Sequence, residues 1–183
     1  MHVKLLIVAA VICVSVGGGP ASAEPASSRA TSTISAPIVL LVDSTGKVAA
    51  RALNDTMMLV TVHHPAVVAP AFIHPVYDAD GRAASGLATW ASDGSVLFTS
   101  PDCSSGAHVF GANHAGLRAT SQVATPGGTI LYVGAIATTR SASIQSILYG
   151  SGCSAVMVQQ NGLIPVDLTI NLTTAYPPPL SFQ

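Results

Sequence analysis

The stretch from Gly86 to Cys103 packs the only tryptophan, an Asp-Gly step and a cysteine into one short span, and it constrains the fold more than any other part of the chain. Leu87-Ala88-Thr89-Trp90 and Val96-Leu97-Phe98-Thr99 are apolar, β-branched runs on either side of Ser92-Asp93-Gly94-Ser95. Two such runs around Asp-Gly are a β-hairpin signal, because the tight hairpin turns need the positive φ that Asp and Gly tolerate. A hairpin is expected here, with Cys103 just beyond its second strand and the remaining strands gathered around it.

The cysteines set how that unit is held. Of three, Cys13 lies in a segment laid out as a secretory leader. His2 and Lys4 are followed by an apolar run from Leu5 to Val16, the helix stop Gly17-Gly18-Gly19-Pro20, and the small-residue cleavage site Ala21-Ser22-Ala23. An apolar core of about 12 residues is too short to span a bilayer, which takes roughly 20. Residues 1–23 are therefore expected to be a cleaved signal peptide, with the mature chain starting at Glu24. Cys13 follows Ile12 rather than a small residue, which does not suit a lipid-anchoring cysteine. In an oxidising compartment the default for Cys103 and Cys153 is one disulfide. Closing a loop of about 50 residues is worth roughly 4 kcal/mol in chain-entropy terms.

Hydrophobic periodicity gives the rest. Residues 24–36, rich in Pro, Ala, Ser and Thr, read as a flexible arm. Ile38–Val42, Val48–Leu53 and Met57–Val62 read as strands separated by Asp43–Lys47 and Asn54-Asp55 turns. Pro70 and Pro75 break Val67–Ile73 into short extended pieces, while Asp78–Gly81 is a turn. Ala107–Phe110, Thr129–Ala135 and Ala155–Val158 are further strands, and Ser143–Tyr149 fits strand or helix. Gln160-Asn161-Gly162 is the strongest hairpin turn signal in the chain. After it, Val166, Leu168, Ile170 and Leu172 alternate with Asp167, Thr169, Asn171 and Thr173, the pattern of a sheet covered on one face. Residues 37–175 are expected to form a single β domain, and 176–183, with Pro177-Pro178-Pro179, an extended tail outside the sheets. The fold class that follows is all-β: a small antiparallel β-sandwich or barrel-like domain stapled by one disulfide.

Composition excludes some functions. Charged residues are only 8% of the chain, and Lys47 is the only lysine beyond the leader. Clustered Lys and Arg are what bind nucleic acid and anionic membranes, so neither is an expected partner. No transmembrane segment is expected after signal cleavage.

Candidate chemistry is sparse. His63 and His64 are adjacent, and strand neighbours face opposite ways, so a zinc or copper site would need one of them with His74, His108 or His114. No His-x-His or His-Glu-x-x-His spacing supports that, and loop or surface histidines are the plainer reading. A Gly-x-Ser-x-Gly elbow is missing. Glu24 is the only glutamate, and Asp43, Asp78, Asp80, Asp93 and Asp102 mostly sit in turns, which disfavours a paired-carboxylate glycosidase. Asp78-x-Asp80-Gly81 echoes the start of a calcium loop, but Ala83 and Thr89 hold its later glycine and glutamate positions. Gly150-x-Gly152-x-x-Ala155 imitates a dinucleotide fingerprint without the surrounding βαβ unit. No cofactor is expected. Asn54 and Asn171 head glycosylation sequons that matter only in a eukaryotic secretory route. Trp90, Tyr77 and Tyr132, with Tyr149 and Phe110, are the aromatics available for binding, although aromatics are just 5% of the chain.

The sequence thus reads as an exported, non-enzymatic β domain, secreted, periplasmic or on the cell surface. Its role would be structural, adhesive or ligand-binding, with a protein or carbohydrate partner and an oligomer as an option. The alternative is a small secreted hydrolase or a metal-binding protein using loop histidines.

Overall fold

The structure, a computed structural model, describes residues 38–53, 57–63, 66–111, 117–150 and 152–183, with backbone alone at 61–63 and 66. The strands are β1 (Leu40–Val42), β2 (Val48–Ala52), β3 (Met57–His63), β4 (Ala66–Tyr77), β5 (Ala83–Trp90), β6 (Ser95–Phe98), β7 (Ala107–Phe110), β8 (Thr120–Thr125), β9 (Gly128–Gly134), β10 (Arg140–Tyr149), β11 (Gly152–Asn171) and β12 (Leu180–Phe182). One helical turn, α1 (Leu172–Ala175), lies between the last two. All pairings are antiparallel. Strands β1-β12-β5-β4-β3-β2 close into a six-stranded barrel, and β10-β6-β7-β11-β9-β8 form a second sheet. In that sheet β10 also pairs with β11, so β10, β6, β7 and β11 curl into a ring of their own. The disulfide-stapled, all-β class read from the sequence is the one that forms.

A six-stranded barrel is narrow, and its interior is filled by mixing small and large side chains. Ala49, Ala50, Ala69, Ala71 and Ala88 are buried beside Leu41, Met58, Val60, Ile73 and Leu180. Leu131 and Val133 of β9 join the same cluster, so the barrel and the second sheet share one core. Trp90 is buried among them and donates from Nε1 to the Tyr176 carbonyl at 3.0 Å.

Four elements depart from the sequence reading. First, β5 and β6 do not form a hairpin. β5 pairs with β4 and β12 in the barrel, and β6 pairs with β10 and β7 in the second sheet. Asp93-Gly94 crosses between the sheets along β8, with Asp93 bridged to Val123 and Gly94 N–H donating to the Gln122 carbonyl at 2.8 Å. A Cβ at Gly94 would lie 2.5 Å from that oxygen, so the glycine serves close approach rather than a turn. Second, Asn161-Gly162 is not a turn. β11 runs straight through it, pairing first with β10, then at Leu163 with β7, then from Val166 with β9. Gly162, at φ 74°, sits where the partners change. The region around Ser143, open between helix and strand, is β10.

Third, the tail is not outside the sheets. Beyond the prolines, β12 inserts between β1 and β5 and closes the barrel, with Leu180 fully buried. The prolines of β4 also fail to break it. The N–H and C=O of Phe72 both point away from β3, to Gln122, and alternation aims the nitrogen of Pro70 the same way. The nitrogen of Pro75 faces the β3 side, but β3 ends opposite Phe72. Neither proline removes a ladder hydrogen bond, which is the condition for proline in a strand.

Gln122, buried in β8, fastens the two sheets. Its Oε1 accepts from Phe72 N–H, and its Nε2 donates to the carbonyls of Phe72 and Ala91, each at 3.0 Å. On the far side, the Cys103–Cys153 disulfide, with a Cα–Cα distance of 6.0 Å, ties the loop after β6 to the start of β11. Buried Ser146 docks the same loop, accepting from Cys103 N–H and donating to the Ser100 carbonyl.

Two stability outcomes follow, both read by urea unfolding. Leu180→Ala is expected to cost about 2–5 kcal/mol, because it hollows the barrel where β12 closes it. Gln122→Leu strands Phe72 N–H and the Ala91 carbonyl, while the Phe72 carbonyl keeps Ala91 N–H at 3.0 Å, and it is expected to cost about 1–3 kcal/mol for each group left unsatisfied. A Gln122→Leu variant as stable as the parent would show that the sheets are held by their shared core alone.

Candidate functional site

An apolar concavity lies where the barrel meets the second sheet. Register places Met57 opposite Phe72 on neighbouring strands, and Phe110 ends β7 across from them. With Pro70, Leu117 and Ala119 they line a cleft of about 330 Å³, near the lower end of the roughly 300–1,000 Å³ usual for small-molecule sites. Phe72 and Phe110 are 41% and 47% exposed, so each turns much of its ring to solvent. The floor is held by Thr120, whose hydroxyl donates to the Pro70 carbonyl at 2.8 Å.

Arg118 is the charged residue in the lining, and its charge is engaged elsewhere. Its Nε donates to the Gly134 carbonyl at 2.6 Å and its terminal nitrogen pairs with Asp167. The buried guanidinium thus braces the wall while the cleft stays apolar. Such a surface takes up an aromatic or aliphatic group by desolvation and ring contact. Of these residues only Phe110 stood out in the sequence. Phe72 and Met57 did not, since their exposure depends on which strand pairs with which.

The other candidates lie apart. Trp90, read as a binding aromatic, is core: Tyr176 packs beside it at a centroid distance of 6.4 Å. Tyr77 is 62% exposed beside the Asp78 turn. Tyr132 is half-buried, edge-on to Phe98, and burial pushes its phenol pKa up. His74 lies 3.6 Å from Asp93. His108, buried, has Nδ1 2.8 Å from the Gly106 carbonyl and accepts at Nε2 from Arg140, which sets the proton on Nδ1. The side chain of His63, and all of His64, His114 and Asn54, lie outside the described residues. Among the described residues, no group of three or more His, Cys, Asp or Glu could hold a metal ion, and no helix is long and apolar enough to cross a membrane. Asn171 caps α1 by accepting from Thr174 N–H and donates to the Gly127 carbonyl. Asp78 accepts from Asp80 and Arg82 N–H, a turn function rather than a calcium ligand's.

Among the described residues, Asp43 is the carboxylate that accepts the most hydrogen bonds. Its Oδ1 accepts from Thr45 N–H, the Thr45 hydroxyl and Lys47 N–H, while Oδ2 is buried and without a hydrogen-bond partner among the described residues. Burial pushes the carboxyl pKa up, but the Thr45 hydroxyl, the two N–H groups and the Lys47 charge together bring it below the ordinary 3.8. Because the folded pKa is depressed, the stabilisation is fully present above the unfolded value and lost as pH falls through the folded one. Unfolding free energy is expected to drop in acid below about pH 4, with Asp43→Asn showing a shallower drop; identical pH profiles for the two proteins would assign acid sensitivity to other groups.

Compared with protein families, curated proteins and solved structures, the chain matches none.

Proposed function

We propose that this protein is an exported, non-enzymatic binding domain that captures an aromatic or aliphatic group in the cleft between barrel and second sheet. The observation that carries this reading is the pair Phe72 and Phe110, two half-exposed rings facing an apolar cleft on braced backbone. An apolar side chain left in water at the mouth of a preformed cleft gains by being covered, and rigid walls lower the cost of ordering on binding. The ligand would be a small molecule, or a partner protein presenting an apolar side chain. Export is supported by the leader-like residues 1–23 and by the disulfide, which persists in the periplasm, at the cell surface or in the medium.

Titration with an environment-sensitive anilinonaphthalene probe tests the site. Saturable binding is expected, weakened about tenfold in Phe72→Ser/Phe110→Ser, which corresponds to about 1.4 kcal/mol, with the unfolding midpoint retained. Equal binding by the parent and the double variant would remove the cleft from consideration.

A further inference from the structure

One strand edge stands apart from the rest. The barrel is closed and has no edge. The outer edge of β8 is covered by the Asp93–Val123 bridge and by Ser121, whose hydroxyl donates to the Ser95 carbonyl. β6 covers β10 over Ser146–Tyr149, and the far end of β10 carries Arg140, reaching His108. On β11, β10 pairs along one side from Gly152 to Leu163, but β7 reaches the other side only at Leu163–Pro165. Between the disulfide at Cys153 and Gly162, whose carbonyl accepts from Gly111, no strand among the described residues covers that second side.

This edge lacks the charge and proline that commonly guard against pairing, and its one irregularity within Ser154–Gln160 is an extra residue of β11 against β10 between Ala155 and Val158. No Lys, Arg, Asp, Glu or Pro occurs from Ser141 to Ile164, whereas natural edges are commonly blunted by charge or proline. Met157, at 91% exposed, stands at its middle, with Val158 also exposed and Val156 partly so.

We propose that Ser154–Gln160 pairs antiparallel with the same segment of a second copy of this chain, about a two-fold axis at Met157. Unpaired main-chain donors and acceptors select an extended strand as the occupant. The self-match is favoured because a two-fold arrangement sets Val156 opposite the partner's Val158 and one Met157 against the other. A strand without charge meets no like-charge repulsion from its own copy. The pairing is independent of the cleft and continues the curled sheet across two molecules.

Sedimentation equilibrium over a concentration series tests this. The parent protein is expected to show reversible dimers. Met157→Lys and Met157→Glu place like charges opposite each other at the axis, and each is expected to raise the dimer dissociation constant at least about tenfold. Because this side chain is almost wholly in solvent, unfolding midpoints measured at concentrations where all three proteins are monomeric should be unchanged. An equimolar mixture of the two variants is expected to restore the dimer through opposite charges. A monomeric parent, or single variants that dimerise as the parent does, would overturn the proposal. So would loss of dimers on deleting residues 24–36 with Met157→Lys without effect, since the arm would then be the occupant. The anilinonaphthalene titration of Met157→Lys should match the parent, which keeps this result distinguishable from failure of the cleft.

Discussion

Everything in this fold depends on how two curved sheets are held side by side, and beside their shared core the side chain of Gln122 carries three hydrogen bonds across that seam. A primary amide offers donors and an acceptor in one plane. Here both are spent on main-chain groups of the other sheet: Phe72 N–H and C=O, and the Ala91 carbonyl. Those groups lie where β4 runs past the end of β5 and where the chain leaves the barrel for the second sheet. The Phe72 carbonyl also accepts from Ala91 N–H, but without the amide Phe72 N–H and the Ala91 carbonyl would be unpaired polar groups at a buried junction, a costly arrangement. The amide thus satisfies the seam and sets the spacing between Phe72 and the β7–β8 region. The cleft exists because that spacing leaves Phe72 and Phe110 close enough to share a concavity but not close enough to bury each other.

Fold class was legible from the sequence because it rests on local signals: period-two alternation from Val166 to Ile170, the turn carboxylates Asp43 and Asp78, and the spacing of Cys103 and Cys153. Connectivity was not, and the two dipeptides that misled show why. Asp-Gly and Asn-Gly signal a hairpin because they allow positive φ, yet Gly94 is needed for its missing Cβ and Gly162 uses its positive φ inside a strand, where β11 changes partners. The residue type is the same; the physical demand differs. Which demand applies is decided by β8 in one case and by β7 and β9 in the other, all distant in sequence.

The prolines carry the same lesson with the opposite sign. Pro70 and Pro75 read as interruptions because proline cannot donate, but a strand loses a bond only if the missing donor faces a neighbour. Neither does, so β4 remains one strand long enough to serve β3 along its first part and β5 along its second. Pro177-Pro178-Pro179 ends one segment without ending the sheet: the three residues beyond it provide the last stave of the barrel. For the candidate site, Trp90 was conspicuous in the sequence and is core, whereas Phe72 was inconspicuous and lines the cleft. Side-chain type reports the capacity to bind; exposure is set by strand pairing.

Closure explains why the functional surfaces lie where they do. A closed barrel has no backbone left to offer, so any contact it makes is through side chains, as at Phe72. The second sheet closes only partly, because β11 is a single strand required to pair with β10, β7 and β9 in turn. β7 has four residues and cannot flank the whole of a twenty-residue strand. An uncovered edge is the geometric consequence of that mismatch. Its chemistry is a separate matter: charge at Ala155, Met157 or Gln159 would cover the liability at little cost to folding, since all three are exposed. The chain carries none there, and the disulfide fixes the start of the same strand. An edge without charge or proline leaves its main chain open to pairing, and Ser154–Gln160 contributes no residue to the lining of the cleft.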